Sequence, residues 1–304
     1  MLCSRRIGQW PAKGRYARSF SVNRSLQARI LYRPLEAASD GNVPSFRTRY
    51  FEPEQPAVLP KETLRAVPAA SRWFARADGT GAATLNYDYL SQFGDTLVPL
   101  ELTQSPSADQ NFDESFQRFH APFSIFLDWT QSKQTRLFRL YLAQCQLSDL
   151  PQPLRDDLPT PDLVLKTGRG DVYDANLWLG LPPTYTPLHR DPNPNLFVQL
   201  AGKKHVRLMS PEAGMRIFSE VKAALGQHAD RGAAVFRGEE MMQGMEKVLL
   251  EEAVWGKTSA EQQDETGYEA ILDAGDGIFI PNGWWHSIKA VGEGVTASVN
   301  WWFR

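Results

Sequence analysis

Apolar residues in the second half of the chain recur in short runs of four to eight, each closed by glycine, proline or a polar pair. That spacing and length read as strands. Ala175–Gly180, Asn195–Gly202, Lys203–Ser210, Tyr268–Leu272, Gly277–Pro281 and Val295–Phe303 are predicted strands, with tight turns at Ala201-Gly202 and at Ala274-Gly275-Asp276. Ser210-Pro211-Glu212 supplies an N-cap, a proline in the first turn and an early acid. The helix it opens is expected to run to about Leu225, with Phe218, Val221 and Leu225 on one face, and a second helix is expected from Gly238 to Trp255. In the first half, residues 34–60 carry five prolines and read as an extended arm with few helical positions. Pro60–Leu64 can open a short helix, Asn86–Phe93 reads as helical, Thr96–Leu102 and Ser115–Phe119 as strands, Ala121–Trp129 as a helix and Arg136–Leu147 as a long strand. A Pro- and Asp-rich connection follows over 148–170. Many short strands with helices confined to the N-terminal part and one insert (residues 211–265) predict a mostly β fold, a sandwich or barrel with helical additions.

The chain has 304 residues, with 42% hydrophobic and 22% charged. Sixteen Phe, nine Trp and nine Tyr can fill a sizeable core, which excludes disorder over most of the length. No uncharged apolar stretch is long enough for a transmembrane helix, so no membrane partner is expected. Two cysteines give neither a disulfide framework nor a zinc site. A net charge of -2 carries no polycation signature, so nucleic acid is not expected as a partner of the whole chain. The charge is unevenly spread. Residues 1–33 hold eight basic residues and no acid, with Ser4, Ser19, Ser21 and Ser25 among them. This composition is that of a mitochondrial targeting segment, and Arg18-Ser19-Phe20-Ser21 suggests processing after Phe20. A basic tail, or an arm touching RNA, is the alternative. Residues 34–304 are then expected to form a single domain.

The chemistry concentrates in Thr186-Pro-Leu-His-Arg-Asp-Pro-Asn-Pro-Asn195. In extended chain His189 and Asp191 project from one face and can ligate one metal ion. Among the remaining histidines, His286 follows the apolar stretch Gly277–Trp285, well placed to line a pocket. Two histidines and a carboxylate make the facial triad of non-haem Fe(II) oxygenases, which leaves positions open for other ligands. A surface salt bridge in a loop is the competing reading of His189 and Asp191. In Lys203-Lys-His-Val-Arg-Leu208, alternation puts Lys203, His205 and Arg207 on a solvated face and Lys204 with Val206 and Leu208 on the apolar one. A buried ammonium needs an anion. The dicarboxylate 2-oxoglutarate would serve beside a metal triad, while a stem lying on apolar surface with its amine reaching solvent is the alternative.

The order Thr186-Pro-Leu-His189-x-Asp191-Pro-x-x-Asn195-x-x-x-Gln199-x-x-Gly202-x-Lys204, then Phe279-Ile-Pro-x-x-Trp-Trp-His286, then Trp301-Trp302, resembles the JmjC oxygenases. It is most similar to the JmjC-only hydroxylase group of the cupin superfamily, and the resemblance extends upstream through Tyr141-Leu-Ala-Gln144-x-Gln146 and Asn176-x-Trp178-x-Gly180. The resemblance implies a double-stranded β-helix (jelly-roll) core and Fe(II) at His189, Asp191 and His286. It also implies 2-oxoglutarate held by Tyr141, Thr186, Asn195 and Lys204, with O₂ as cosubstrate and a protein side chain as the substrate to be hydroxylated. Demethylation of N-methyl lysine or arginine, RNA-base hydroxylation and a metal-free cupin-like binding role are the alternatives.

The remaining candidates receive plainer expectations. Met241, Met242 and Met245 in the insert are expected to pack a helical core, with a substrate-facing surface as the alternative. Glu239, Glu240, Glu251 and Glu252 can attract a basic peptide. His120 is expected to be structural, His205 solvated, His228 in a polar loop and Cys145 a packed thiol. Trp285, Trp301 and Trp302 are expected in core and pocket walls, and Asn300 can line the pocket.

Overall fold

The structure, a computed structural model, describes residues 30–64, 66–76, 82–104, 115–132, 138–229, 239–256 and 265–304. In chain order the described strands are β1 (Ile30–Pro34), β2 (Ala57–Leu59), β3 (Phe74–Arg76), β4 (Ala83–Leu85), β5 (Leu97–Gln104), β6 (Ser115–Pro122), β7 (Phe138–Gln146), β8 (Val172–Gly180), β9 (Tyr185–Arg190), β10 (Asn195–Ala201), β11 (Lys203–Met209), β12 (Glu265–Leu272), β13 (Gly277–Ile280), β14 (Trp285–Val291) and β15 (Thr296–Phe303). The α-helices are α1 (Val43–Phe46), α2 (Ala69–Arg72), α3 (Tyr87–Leu90), α4 (Phe123–Gln131), α5 (Gln152–Asp156), α6 (Asp162–Thr167), α7 (Pro211–Ala224) and α8 (Gly244–Trp255).

Two sheets face each other. One runs β1-β12-β11-β14-β9 and the other β2-β13-β10-β15-β8-β7-β5-β6. Apart from the parallel pair β1–β12, every ladder is antiparallel. β10 and β15 are buried along their whole length because both of their faces are covered. Their outer face packs Leu196, Val198, Leu200, Val299 and Trp301 into the main core with α4 and the short N-terminal helices. A second core joins the five-stranded sheet to α7 and α8, and a third closes the space between the sheets around Phe197, Val206, Leu208 and Ile278. The mostly β, jelly-roll class read from the sequence is the observed one. The β10–β11 turn depends on Gly202, which adopts φ +65° and whose missing Cβ would lie 2.5 Å from the Val295 carbonyl.

Several elements depart from the sequence reading. The 34–60 arm contains α1 and a π-helical turn over Arg47–Phe51; Asn42 caps α1 through Ser45 N–H, and Pro44 sits in its first turn, where proline costs no hydrogen bond. Two helices, α5 and α6, interrupt the 148–170 connection, each led in by a proline. The second insert helix begins at Gly244 rather than 238: φ +72° at Gly244 separates it from a 3₁₀ turn over Glu239–Met242. Strands β1, β2, β9 and β14 carry no strong alternation and arise from pairing with β12, β13 and one another. β1 also places Ile30–Arg33, the end of the basic N-terminal segment, inside a sheet; residues 1–29 lie outside the described residues.

The face carrying Lys203, His205 and Arg207 is solvated only at Lys203, which pairs with Asp273. The α8 residue Trp255 lies edge-on to the His205 ring at 4.9 Å. The Arg207 guanidinium sits 4.1 Å from the Tyr32 ring centroid and 4.6 Å from that of Trp255. Both His205 and Arg207 bond Glu269 of the neighbouring strand. Docking of the insert therefore covers what alternation alone reads as a wet face. His120 is exposed on β6 rather than structural, and His228 is exposed as expected. No described helix is long and apolar enough to cross a membrane.

Candidate active site

The β9 and β14 strands pair so that His189 stands directly opposite His286. Asp191 follows one residue past the end of β9, and the ligand atoms of the three lie within 4.8 Å of one another. The Nε2 atoms of His189 and His286 are 3.7 and 3.5 Å from the two Asp191 oxygens. Each histidine turns Nδ1 away, toward the backbone carbonyl two residues upstream: Pro187 at 2.8 Å and Trp284 at 3.5 Å. That contact selects the tautomer with Nε2 free to ligate. Burial, and then the neighbouring His189, push the His286 pKa down to about 4, so its imidazole is neutral near pH 7. Such a donor set, two imidazoles and one carboxyl group on one side, fits Fe(II) with facing positions left open.

A relay of side-chain amides holds Asp191. Trp178 Nε1 donates to Asn300 Oδ1 at 2.8 Å, Asn300 Nδ2 donates to Asn195 Oδ1 at 3.3 Å, and Asn195 Nδ2 donates to Asp191 Oδ2 at 2.7 Å. Asn195 thus acts on the candidate ligand Asp191 itself, a role the sequence reading did not assign.

Lys204 points inward from β11 and is 3% exposed. Its Nζ donates to Ser298 Oγ at 2.7 Å and lies 3.4 Å from the Tyr141 hydroxyl. No described carboxylate forms an ion pair with it, and burial lowers its pKa to about 7. A buried ammonium held only by hydroxyls is a cradle for an anion. Burial also keeps the Tyr141 phenol protonated, able to donate. Ser298 was missed from the sequence, although Thr296, Ser298 and Asn300 form a polar row at i, i+2, i+4 in an otherwise apolar strand, which was a readable signal.

One pocket takes in His189, Asp191, His286, Tyr141, Thr186, Asn195 and Lys204 together. Its mouth is lined by Glu101 and Arg118 from β5 and β6, neighbours in register with each other and with Tyr141. Met241 and Met242 face it from the insert, so these two line the pocket instead of packing only a helical core. Met245 is exposed. Of the insert's acids, Glu246 pairs with Lys222 of α7, inside the insert, and Glu251 with Lys289 of β14, so the first joins the insert's two helices and the second ties the insert to the sheet. Trp285 is buried against Phe218, Trp301 is core, Trp302 and Asn300 line the pocket, and Cys145 is a packed thiol with its pKa pushed up to about 12 by burial.

A cupin-like domain model matches residues 43–304. The chain belongs to the cupin-like domain family. Over 88% of its length this cupin-like domain is 25% identical to the "Lysine-specific demethylase JMJ30" of Arabidopsis thaliana, of which it covers 54%. It is 26% identical over 85% of its length to the "Jumonji C domain-containing protein 5" of Drosophila melanogaster, covering 57% of that protein. The "Bifunctional peptidase and (3S)-lysyl hydroxylase JMJD7" of Homo sapiens is 25% identical over 83% of the chain, with 78% of the human protein covered. The cupin-like domain thus spans little more than half the length of the first two relatives.

Proposed function

We propose that this protein is an Fe(II)- and 2-oxoglutarate-dependent dioxygenase that hydroxylates a side chain of a protein substrate. The observation that carries the reading is the pairing, in one pocket, of the His189–Asp191–His286 donor set with Lys204, a buried ammonium lacking a described acidic partner. Bound iron with 2-oxoglutarate would supply the activation of O₂. The chain's own residues divide the remaining work. His189, Asp191 and His286 hold the metal. Lys204, with the Tyr141 and Thr186 hydroxyls, receives the far carboxylate of the cosubstrate, while Ser298 orients the ammonium. Asn195 and Asn300 fix Asp191. Trp178 and Trp302 wall the site against water. The lysyl hydroxylase named among the relatives supports a protein substrate, and the Glu101 carboxylate at the mouth suits a cationic side chain.

Relatives named as lysine-specific demethylases favour a second reading, removal of an N-methyl group. Iron-loaded protein supplied with 2-oxoglutarate and lysine- or arginine-centred peptides, unmethylated or methylated, decides between them. Addition of one oxygen to unmethylated peptide without formaldehyde is expected. Stoichiometric formaldehyde from methylated peptide, abolished by His286→Ala, would establish demethylation instead, and absence of any 2-oxoglutarate turnover would leave a binding protein. A mitochondrial address is part of the proposal, supported by the acid-free basic composition of residues 1–33.

A further inference from the structure

Tyr141 and Gln144 both lie on β7 and both line the pocket. In a regular strand, residues three apart point to opposite faces. The pairing with β8 explains the exception. Leu142 opposes Leu179 and Cys145 opposes Leu177, so three steps along β7 match two along β8. One extra residue in a strand is a bulge, and it reverses the parity of everything beyond it. The bulge delivers Gln144 to the pocket and returns Cys145 to the core beside Leu142. Its backbone signature is φ +51° at Gln144, in the left-handed region where a residue with a side chain is strained and glycine is not. The carbonyl of Ala143, the residue before it, accepts from Arg118 Nη2 at 3.4 Å, so a second pocket-lining residue braces the bulge. The Gln144 carboxamide itself makes no hydrogen bond to another described residue.

We propose that Gln144 is the substrate-positioning residue of this pocket, its carboxamide binding a main-chain peptide group of the protein substrate next to the residue that reacts. The inference rests on the hydroxylase reading above. Strain held by a side chain that serves no contact within the fold points to a contact made outside it. A carboxamide offers a donor and an acceptor together, the complement of a peptide N–H and C=O, and carries no charge to compete with Glu101 and Arg118 at the mouth.

The test compares Gln144→Gly, Gln144→Asn and Gln144→Ala in the full chain, with thermal unfolding, 2-oxoglutarate binding and oxidation of a pool of lysine- and arginine-centred 15-residue peptides. Gln144→Gly removes the strain and is expected to unfold at the wild-type temperature or above it, with 2-oxoglutarate affinity within twofold. Its KM for the peptides is expected to rise at least tenfold, with fewer hydroxylations per succinate formed. Gln144→Asn keeps an amide that tolerates this backbone and recovers part of the loss; Gln144→Ala unfolds below Gln144→Gly. Peptide oxidation by Gln144→Gly with unchanged KM and coupling overturns the proposal, as does a lowered unfolding temperature, which makes the side chain structural, or a matching loss of 2-oxoglutarate affinity, which assigns it to the cosubstrate. Wild-type protein that turns over 2-oxoglutarate yet oxidises no peptide overturns the hydroxylase reading and the proposal with it.

Discussion

His189 and His286 face one another across the β9–β14 ladder with ring centroids 4.2 Å apart, each anchored through Nδ1 toward the carbonyl two residues before it. Strand pairing, not a loop, sets this separation, so the donor set is rigid before any metal arrives.

Fe(II) under anaerobic conditions is therefore expected to raise the unfolding temperature of the wild type. A concentration one hundred times its Kd would add about 2.7 kcal/mol. His189→Ala, Asp191→Ala and Asp191→Glu should lose this shift while folding normally, the last because one methylene displaces the carboxylate. Asn300→Ala breaks the relay to Asp191 and is expected to weaken metal binding by about 10- to 100-fold, the usual scale for a group that orients a ligand. Isothermal titration with Fe(II) or Co(II) measures both. A wild-type shift retained in the ligand variants would refute the assignment.

Lys204→Met should weaken 2-oxoglutarate by about 10- to 150-fold, from a charge-assisted hydrogen bond of about 1.5–3 kcal/mol. Lys203→Met, on the exposed side, should change it little. The pH dependence has a definite sign. Burial lowers the ligand-free Lys204 pKa from 10.5 to about 7, so between these values the unfolded chain binds the extra proton. This group's contribution makes stability rise with pH from about 7 toward 10.5. Cosubstrate binding needs the ammonium, so its affinity should fall as pH climbs above about 7. Both slopes should appear in the difference between wild type and Lys204→Met, which lacks the titrating group. Binding and unfolding series across pH 6–10 read them out.

Gly214 on α7 lies against Trp285, where an added Cβ would come 2.0 Å from the indole ring. Trp285 has no room to yield, being fully buried beside Phe218. Gly214→Ala should cost at least about 1–3 kcal/mol by overpacking. Because Trp285 adjoins His286, metal affinity should fall as well. Chemical denaturation and metal titration of the same variant check the two effects, and a variant with wild-type stability would contradict the packing.

Deleting residues 1–34 removes β1 and the buried Ile30, whereas deleting only 1–29 keeps both. Burial of an isoleucine alone is worth about 1.5–3 kcal/mol, so the longer deletion should destabilise measurably. Residues 1–29 fused to a fluorescent protein should enter mitochondria, and replacing Arg5, Arg6, Arg15 and Arg18 with Gln should block entry. Cytosolic fluorescence from the intact fusion would favour the basic-arm reading.

Short-range pattern was enough for much of the architecture. Short apolar runs closed by turn residues marked β10 and β15, Ser210-Pro211 marked the start of α7, and alternation along β11 set Lys204 among apolar positions, because side-chain direction in a strand follows from spacing alone. His189 and Asp191 were legible for the same reason. Other features depend on what packs against them. The partnership of His286 with His189 comes from the register of β9 on β14, and that of Lys204 with Ser298 from the meeting of the two sheets. Docking of α8 covers His205 and Arg207, and the preceding turn brings Met241 and Met242 to the pocket. The slip that turns Gln144 inward shows only in the β7–β8 ladder, since strand parity is counted against the neighbouring strand, and the chain does not carry that neighbour's position in its own local pattern.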